Sequence, residues 1–278
     1  MKAAICTIFC AVFSLQSLPN VPFEVSMSAC YSYRSEIVAA DKDWQFVKSL
    51  YENYQNNFQL AKEYKIPKLI HLIWLGSPLP AKCKEMADSW EKFHPDWTIK
   101  VWDDEDAASF GLTNKKSFDR AQNFGEKSDI FRYEILYRHG GLYVDTDFEC
   151  IRPFDELHRS CEFFCGLAQN EMPYLLIGLI GSVPGHPILK ATIANLRTGP
   201  GDFDLERIMR ETGVYFFTKM FFEHAPLCPE NTVVPFPMTY FYPFPGWQRF
   251  RKDTIAIKSE YVRPESMAIH YFATSWQK

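Results

Sequence analysis

Asp145 and Asp147 stand one residue apart in GGLYVDTDFEC, from Gly140 to Cys150, an otherwise apolar, strand-like run in which a carboxylate is costly to bury without a partner. If LYVDTDF is one strand, its period of two places both carboxylates on one face at the strand's end. Like charges that close raise each other's pKa unless a cation sits between them. A divalent ion resolves the conflict, because Mg²⁺ or Mn²⁺ commonly takes one or two carboxylates together with substrate phosphates. Chance DxD pairs in solvated turns are frequent, and it is the apolar frame that favours a metal here.

The elements around this pair must position it. GEKSDIFRYEILYRHGG, from Gly125 to Gly141, is the clearest helix: Ser128 or Asp129 can cap its start, apolar residues recur through Ile130, Phe131, Ile135 and Leu136, and Gly140 closes it in a left-handed conformation. Asp129 and Arg132 share a face of that helix and can form an ion pair. Spacing alone does not say whether the start of the helix lies near the end of the following strand. Upstream, IPKLIHLIWLG carries an apolar run from Leu69 to Leu75, broken by His71 and closed by Gly76 and Pro78, which reads as a buried parallel strand beyond a boundary at Ile66-Pro67. A helix over Ala81 to Phe93 and a strand over Thr98 to Asp104 complete a βαβ unit, with Asp103 and Asp104 also suited to cap the next helix. Downstream, the pattern predicts a strand over Leu175 to Val183, a helix from Pro187 to about Leu196 and two helices parted at Gly213. The proline-broken VVPFPMTYFYPFPGW is extended or looping, and AIHYFATSW is a last short strand and loop.

Among the 278 residues, 47% are hydrophobic and 16% aromatic, which excludes a disordered or fibrous chain, and a net charge of −4 offers no basic excess for nucleic acid. A small polar substrate suits this balance better. At the N-terminus, one lysine followed by an apolar run from Ala3 to Leu15 suits a signal-peptide core better than a membrane span, with SMSAC (Ser26 to Cys30) a weak site for processing or lipid attachment. Residues 1–30 are therefore expected to be a targeting segment, the alternative being an amphipathic or buried helix; the protein is exported or membrane-associated in the first case and cytoplasmic in the second. Residues 31–65, without glycine or proline until Pro67, form a helical lead-in to a domain spanning 66–278. The eight cysteines include no CxxC pair, and Cys161 and Cys165 lack nearby histidines at zinc-binding spacing, so isolated thiols are expected, with disulfides only in an exported chain.

Three segments together, IPKLIHLIWLG, SDIFRYEILYRHGGLYVDTDFE and IHYFATSW, resemble the DxD-containing glycosyltransferases of family 32, among them fungal Golgi mannosyltransferases and bacterial capsular sugar transferases, and more distantly the clostridial glucosylating toxins. The resemblance runs from Ile66 to Trp276, and its specific part is the block S-D-x-x-R-Y-x-x-L-x-x-x-G-G-x-Y-x-D-x-D. It implies an α/β, A-type glycosyltransferase (GT-A) fold, with a Rossmann-like, mostly parallel sheet flanked by helices. It further implies a metal-dependent hexosyltransferase that retains anomeric configuration, using Mn²⁺ or Mg²⁺ and a UDP- or GDP-sugar donor. Residue by residue, Trp74 would stack on the nucleotide base. Asp129 and Arg132, with Ser128 beside them, would hold hydroxyls and phosphate of the donor, and Tyr143 would lie near the base or ribose. Asp145 would touch the ribose and a metal-bound water, Asp147 would ligate the metal directly, and His270 would complete the metal site. Ser275 and Trp276 would close over the diphosphate. The acceptor, whether glycan, lipid-linked sugar or protein side chain, is not assigned, and LLIGLIGSVPGHP lacks the asparagine expected before its glycine.

Plainer roles exist for Trp74 as core, Tyr143 as a strand aromatic and His270 as a buried strand histidine. Two other functions compete. A phosphatase of the haloacid dehalogenase type also begins with an apolar strand and DxD, but Glu149 occupies a position where that motif carries Thr or Val. A non-catalytic carbohydrate-binding protein could use Phe216, Phe221, Tyr240, Tyr242 and Trp247 as a sugar platform.

Overall fold

The computed structural model describes residues 18–29, 34–169, 172–199, 204–230 and 232–273. Its strands are β1 (Leu69–Ile73), β2 (Thr98–Trp102), β3 (Gly141–Val144), β4 (Phe148–Cys150), β5 (Phe163–Gln169), β6 (Pro173–Ser182), β7 (Val233–Phe236) and β8 (Ala268–His270). Six of them form a sheet in the order β2-β1-β3-β6-β5-β7, and β4 pairs with β8 in a small second sheet. The β1/β2, β1/β3 and β5/β7 pairs are parallel, while β6 runs antiparallel to both β3 and β5. The α/β class with a mostly parallel sheet is therefore as expected, with β6 the one reversed strand of the six-stranded sheet. Buried in the middle of the sheet, β1 and β3 are apolar throughout except for His71.

The first βαβ unit forms as its sequence indicates: the helix is Ala81–Phe93, β2 ends at Trp102, and Asp103 caps the following helix through a reciprocal capping box with Asp106. The next long helix is Phe124–His139, and its cap is neither Ser128 nor Asp129 but Asn123, whose Oδ1 accepts from the N–H groups of Gly125 and Glu126. Ser128 and Asp129 are thereby left one turn inside the helix, free to face the sheet.

One expectation fails at the motif itself. LYVDTDF is not a single strand: β3 stops at Val144, Asp145 to Asp147 form a turn closed by the Phe148 N–H on the Asp145 carbonyl, and β4 begins at Phe148. The break has a cause, since Phe148 and its successors pair with β8 rather than continuing in the main sheet. Strand β5 was not foreseen, because its small and sulfur-bearing residues (FFCGLAQ) carry no clear alternation.

Residues 18–29 are packed into the body. The helix Phe23–Ser28 buries Phe23 and Met27 completely, the Leu18 N–H donates to the Glu156 carboxylate at 2.9 Å, and the Tyr51 hydroxyl donates to the Val21 carbonyl at 2.7 Å. Behind them, the helices Ser35–Ala40 and Lys42–Asn56 send Val38, Trp44, Val47, Tyr51 and Tyr54 into the core that the main sheet shares. Residues 1–17 and Cys30 of the expected targeting segment lie outside the described residues. Cys83, Cys150, Cys161, Cys165 and Cys228 are free thiols, and burial pushes those of Cys150, Cys161 and Cys165 up. No described helix is long and apolar enough to cross a membrane.

Candidate active site

Parallel strands that end together present their next residues together, and the C-terminal ends of β1 and β3 open onto a cavity of about 720 Å³. Trp74 follows β1 directly and Asp145 follows β3. Antiparallel β6 completes this edge: its register sets Leu179 opposite Val144, so Gly178 lies opposite Asp145 and its carbonyl accepts the Asp145 N–H at 2.8 Å.

The fold also answers what spacing left open. Gly140 and Gly141 both take positive φ, of 64° and 96°, and reverse the chain with no intervening loop. From Asp129 to the helix end is about 15 Å at the α-helical rise, and β3 carries the chain back about 13 Å. Matched lengths bring the second helical turn beside the DxD turn. Arg132 is the result: one guanidinium nitrogen lies 2.8 Å from Asp129 Oδ1, another lies 3.2 Å from Asp145 Oδ1 and 2.8 Å from the Ile177 carbonyl, and Nε donates to the Ser128 carbonyl. The guanidinium also sits over the Tyr143 ring, whose hydroxyl donates to Asp145 Oδ1 at 2.7 Å. Tyr143 and Asp145, two residues apart, thus lie on the same side.

Asp147 is held from the other flank. His270 Nε2 lies 2.9 Å from its Oδ1, and the Ala273 N–H donates to its Oδ2 at 2.6 Å. The β4/β8 pair sets Phe148 opposite His270, and the imidazole stacks on the Phe148 ring at 4.5 Å and against Phe272 at 4.1 Å. Phe272 holds a left-handed φ of 51°, a costly conformation for an aromatic residue, and it lines the cavity. Asp145, Asp147 and His270 each offer a ligand atom within 4.8 Å of the others.

Electrostatics separate these carboxylates. Burial and the neighbouring Asp147 charge raise the Asp145 pKa against the pull of Arg132, whereas His270 and the Ala273 N–H hold Asp147 low in spite of its burial. Burial opposes charge on His270, but Asp147 and Asp145 outweigh it and raise its pKa. Asp129 is pushed up to about 6 by burial, with Arg132 opposing. Two carboxylates and an imidazole converging at this distance suit a divalent ion such as Mn²⁺, and the buried His270 Nδ1 has no hydrogen-bond partner among the described residues, leaving the ring's orientation to its aromatic neighbours and to whatever binds Nε2.

Residues 80–164 match the family model described as the glycosyltransferase sugar-binding region containing DXD motif. Over this span the chain is similar to the sugar-binding region of the DXD glycosyltransferases. It is 29% identical over 147 residues to inositol phosphoceramide mannosyltransferase 3 of Schizosaccharomyces pombe, covering 51% of this chain and 40% of that protein. It is 33% identical over 140 residues to inositol phosphoceramide mannosyltransferase 1 of the same yeast, covering 48% and 43%. The chain thus spans less than half the length of these two relatives. Among solved structures, the PaToxG glycosyltransferase aligns with a TM-score of 0.49 at 15% identity, over 66% of this chain and 76% of that one.

Within and beyond the DXD region, the structure gathers Trp74, Ser128, Asp129, Arg132, Tyr143, Asp145, Asp147 and His270 into the wall of one cavity. Trp74 is half-buried there, with its Nε1 donating to Ser77 Oγ at 3.0 Å. Ser275 and Trp276 lie outside the described residues. The aromatic platform does not form: Phe216, Phe221 and Tyr240 are core, Trp247 is exposed elsewhere, and Tyr242 alone of the five reaches the cavity. Glu149, the residue that separated this motif from the phosphatases, pairs with Lys258 and the Tyr271 hydroxyl.

Three features escaped sequence reasoning. Gly178 is one, although a glycine inside an apolar strand signals close approach of another group. Phe272 is another, since nothing in YFAT marks a left-handed residue. The third is the clamp between Glu126 and Arg207, a bidentate pair at 2.8 and 3.0 Å that ties the helix Leu205–Glu211 to the helix Phe124–His139. Leu205, Ile208 and Met209 of that clamped helix contribute apolar lining to the cavity.

Proposed function

We propose that this protein is a metal-dependent, retaining glycosyltransferase of the A-type fold that moves a hexose from a nucleoside-diphosphate sugar to an acceptor hydroxyl. The observation that carries this reading is the convergence of Asp145, Asp147 and His270 on one cavity edge with Arg132 and Asp129 directly behind them.

Asp147 and His270 would hold the Mn²⁺ or Mg²⁺, with Asp145 beside them, and the ion would neutralise the diphosphate as the anomeric bond breaks. The protein's contribution is electrostatic and positional. Arg132 fixes Asp145 and supplies positive charge behind it, while the Tyr143 hydroxyl fixes the same carboxylate from the strand. Asp129, bound to Arg132 and accepting from Thr212, is placed to meet donor hydroxyls rather than to attack carbon. Trp74 offers a face for the base. No carboxylate stands free as a nucleophile among the described residues of this wall, in keeping with attack by the acceptor hydroxyl on the face the leaving diphosphate vacates.

The apolar lining of Leu205, Ile208 and Met209 favours an acceptor with apolar character, and the relatives named as inositol phosphoceramide mannosyltransferases support a mannosyl donor and a lipid acceptor. The test is a panel of UDP- and GDP-sugars screened for Mn²⁺-dependent hydrolysis by the full chain. One donor should be cleaved, EDTA should stop the reaction, and Asp147→Ala should abolish it with the fold intact. Activity that survives both chelation and Asp147→Ala removes the metal assignment, and sugar binding without turnover converts the reading to a carbohydrate-binding protein.

A further inference from the structure

Of the large apolar side chains exposed outside the cavity, three fall in one short segment, while Leu227, at 76%, stands apart from it. Trp247 is 62% exposed, Phe250 78% and Ile255 81%, all within GWQRFRKDTI. Such groups scattered singly are ordinary on a protein surface, whereas several gathered together mark a contact surface. Consecutive three-residue turns shape the segment: the N–H groups of Gln248, Arg249 and Arg251 bond to the carbonyls of Pro245, Gly246 and Gln248. At three residues per turn, positions 247 and 250 fall on the same side. Ile255 follows in the first turn of the helix Thr254–Tyr261.

Charge is interleaved with these side chains. Between Gly246 and Lys258 stand four cations, Arg249, Arg251, Lys252 and Lys258, and one acid, Asp253, in a chain whose net charge is −4. Glu260 answers Arg251 and Glu149 answers Lys258, whereas Arg249 and Lys252 are exposed and have no acidic partner among the described residues. The segment also adjoins the site: Gly246 packs so closely on Phe272 that a methyl group on it would lie 3.3 Å from that ring, and Phe272 in turn covers His270.

We propose that this turn, through Trp247, Phe250 and Ile255 with Arg249 and Lys252, docks the protein on a bilayer surface bearing anionic lipid. Tryptophan and phenylalanine beside long cationic side chains match the boundary between headgroups and acyl chains, where rings insert and the cations remain with phosphates. Tryptophan, phenylalanine and arginine also serve protein interfaces, but lysine is depleted there, and a lipid surface uses Lys252 together with the others. Docking here sets the cavity mouth, by way of Phe272, next to the membrane surface. The inference concerns binding alone, and its test reads no sugar transfer, so it stands or falls apart from the proposed activity.

The test is flotation of the full chain with vesicles of phosphatidylcholine alone and of phosphatidylcholine mixed with phosphatidylserine. The chain should float with the mixed vesicles only, and added salt should weaken binding by screening. The variants Trp247→Ser/Phe250→Ser and Arg249→Glu/Lys252→Glu, checked for an unchanged melt, should each lower the bound fraction, the first by roughly tenfold or more given the apolar area removed. No binding to the mixed vesicles, or equal binding by both variants, overturns the proposal; the latter moves the contact elsewhere on the chain. Self-association abolished by the same substitutions, without flotation, assigns the patch to a second copy and overturns it as well.

Discussion

Gly178 lies against Asp145 so closely that a methyl group on its Cα would stand 2.7 Å from Asp145 Oδ2, and its carbonyl accepts the Asp145 N–H. Backbone and side chain of the first DxD aspartate are thus both set by one glycine of the reversed strand β6. Gly178→Ala should displace the carboxylate from Arg132 and Tyr143, lowering Mn²⁺-dependent hydrolysis of the donor about tenfold or more while costing about 1–3 kcal/mol of stability from overpacking. Steady-state kinetics beside a denaturant melt separate the two. Full activity would mean that Asp145 tolerates displacement and that its fixed position is unimportant.

His270 is the single imidazole beside the aspartates, and it rests between Phe148 and Phe272 with Nε2 toward Asp147. His270→Ala should weaken Mn²⁺ binding about 10–100-fold, on the scale seen when groups that tune a metal site are removed. Calorimetric titration of Mn²⁺ in the presence of nucleoside diphosphate measures this directly. The rise in melting temperature that the ion gives the wild type should shrink correspondingly. An unchanged Mn²⁺ affinity would leave His270 as a structural partner of Asp147 alone.

How much of this was legible in the sequence depends on range. The helix Ala81–Phe93, strand β1 and the helix pair split at Gly213 follow from local periodicity and from glycine or proline at their ends, and they form where the pattern puts them. The DxD strand did not, because LYVDTDF has the period of a strand throughout and only a distant partner, β8, draws Phe148 away from the sheet. Asp129, Arg132 and Asp145 could be nominated by type and by resemblance. Their contact could not, since it depends on two adjacent glycines with positive φ and on matched helix and strand lengths. Arg207 gave no signal at all: it is one of two arginines on the short helix Leu205–Glu211, and its partner Glu126 lies 81 positions away.

Asp129 offers a titration that can be isolated. Its pKa is pushed up from 3.8 to about 6 because burial disfavours its charge more than Arg132 favours it. A carboxyl whose folded pKa is raised contributes stability that is fully present below its unfolded pKa and is lost as pH rises through the folded one. Asp129→Asn cannot titrate, so the stability of the variant minus that of the wild type should climb between about pH 4 and pH 6 and then level, by at most about 3 kcal/mol at 1.36 kcal/mol per unit. Denaturant melts of both proteins across that range trace the curve. A flat difference would show that Arg132 keeps Asp129 charged throughout.

Arg207 closes the cavity wall from behind. Its guanidinium meets the Glu126 carboxylate with two nitrogens and Glu211 with one, while the Glu126 side chain is only 1% exposed. Removing the cation strands a buried carboxylate, which costs about 3–5 kcal/mol when a buried pair is broken. Arg207→Met should therefore destabilise the protein by a few kcal/mol and loosen the helix Leu205–Glu211, which carries the apolar side of the site. Replacing both partners, as Glu126→Leu with Arg207→Met, removes the stranded charge and should recover most of the stability, because an apolar pair of similar volume substitutes well for a buried ion pair. A double-mutant cycle by chemical denaturation measures the coupling. If the double variant is no more stable than Arg207→Met, the helix is held by its apolar contacts with the cavity rather than by the clamp.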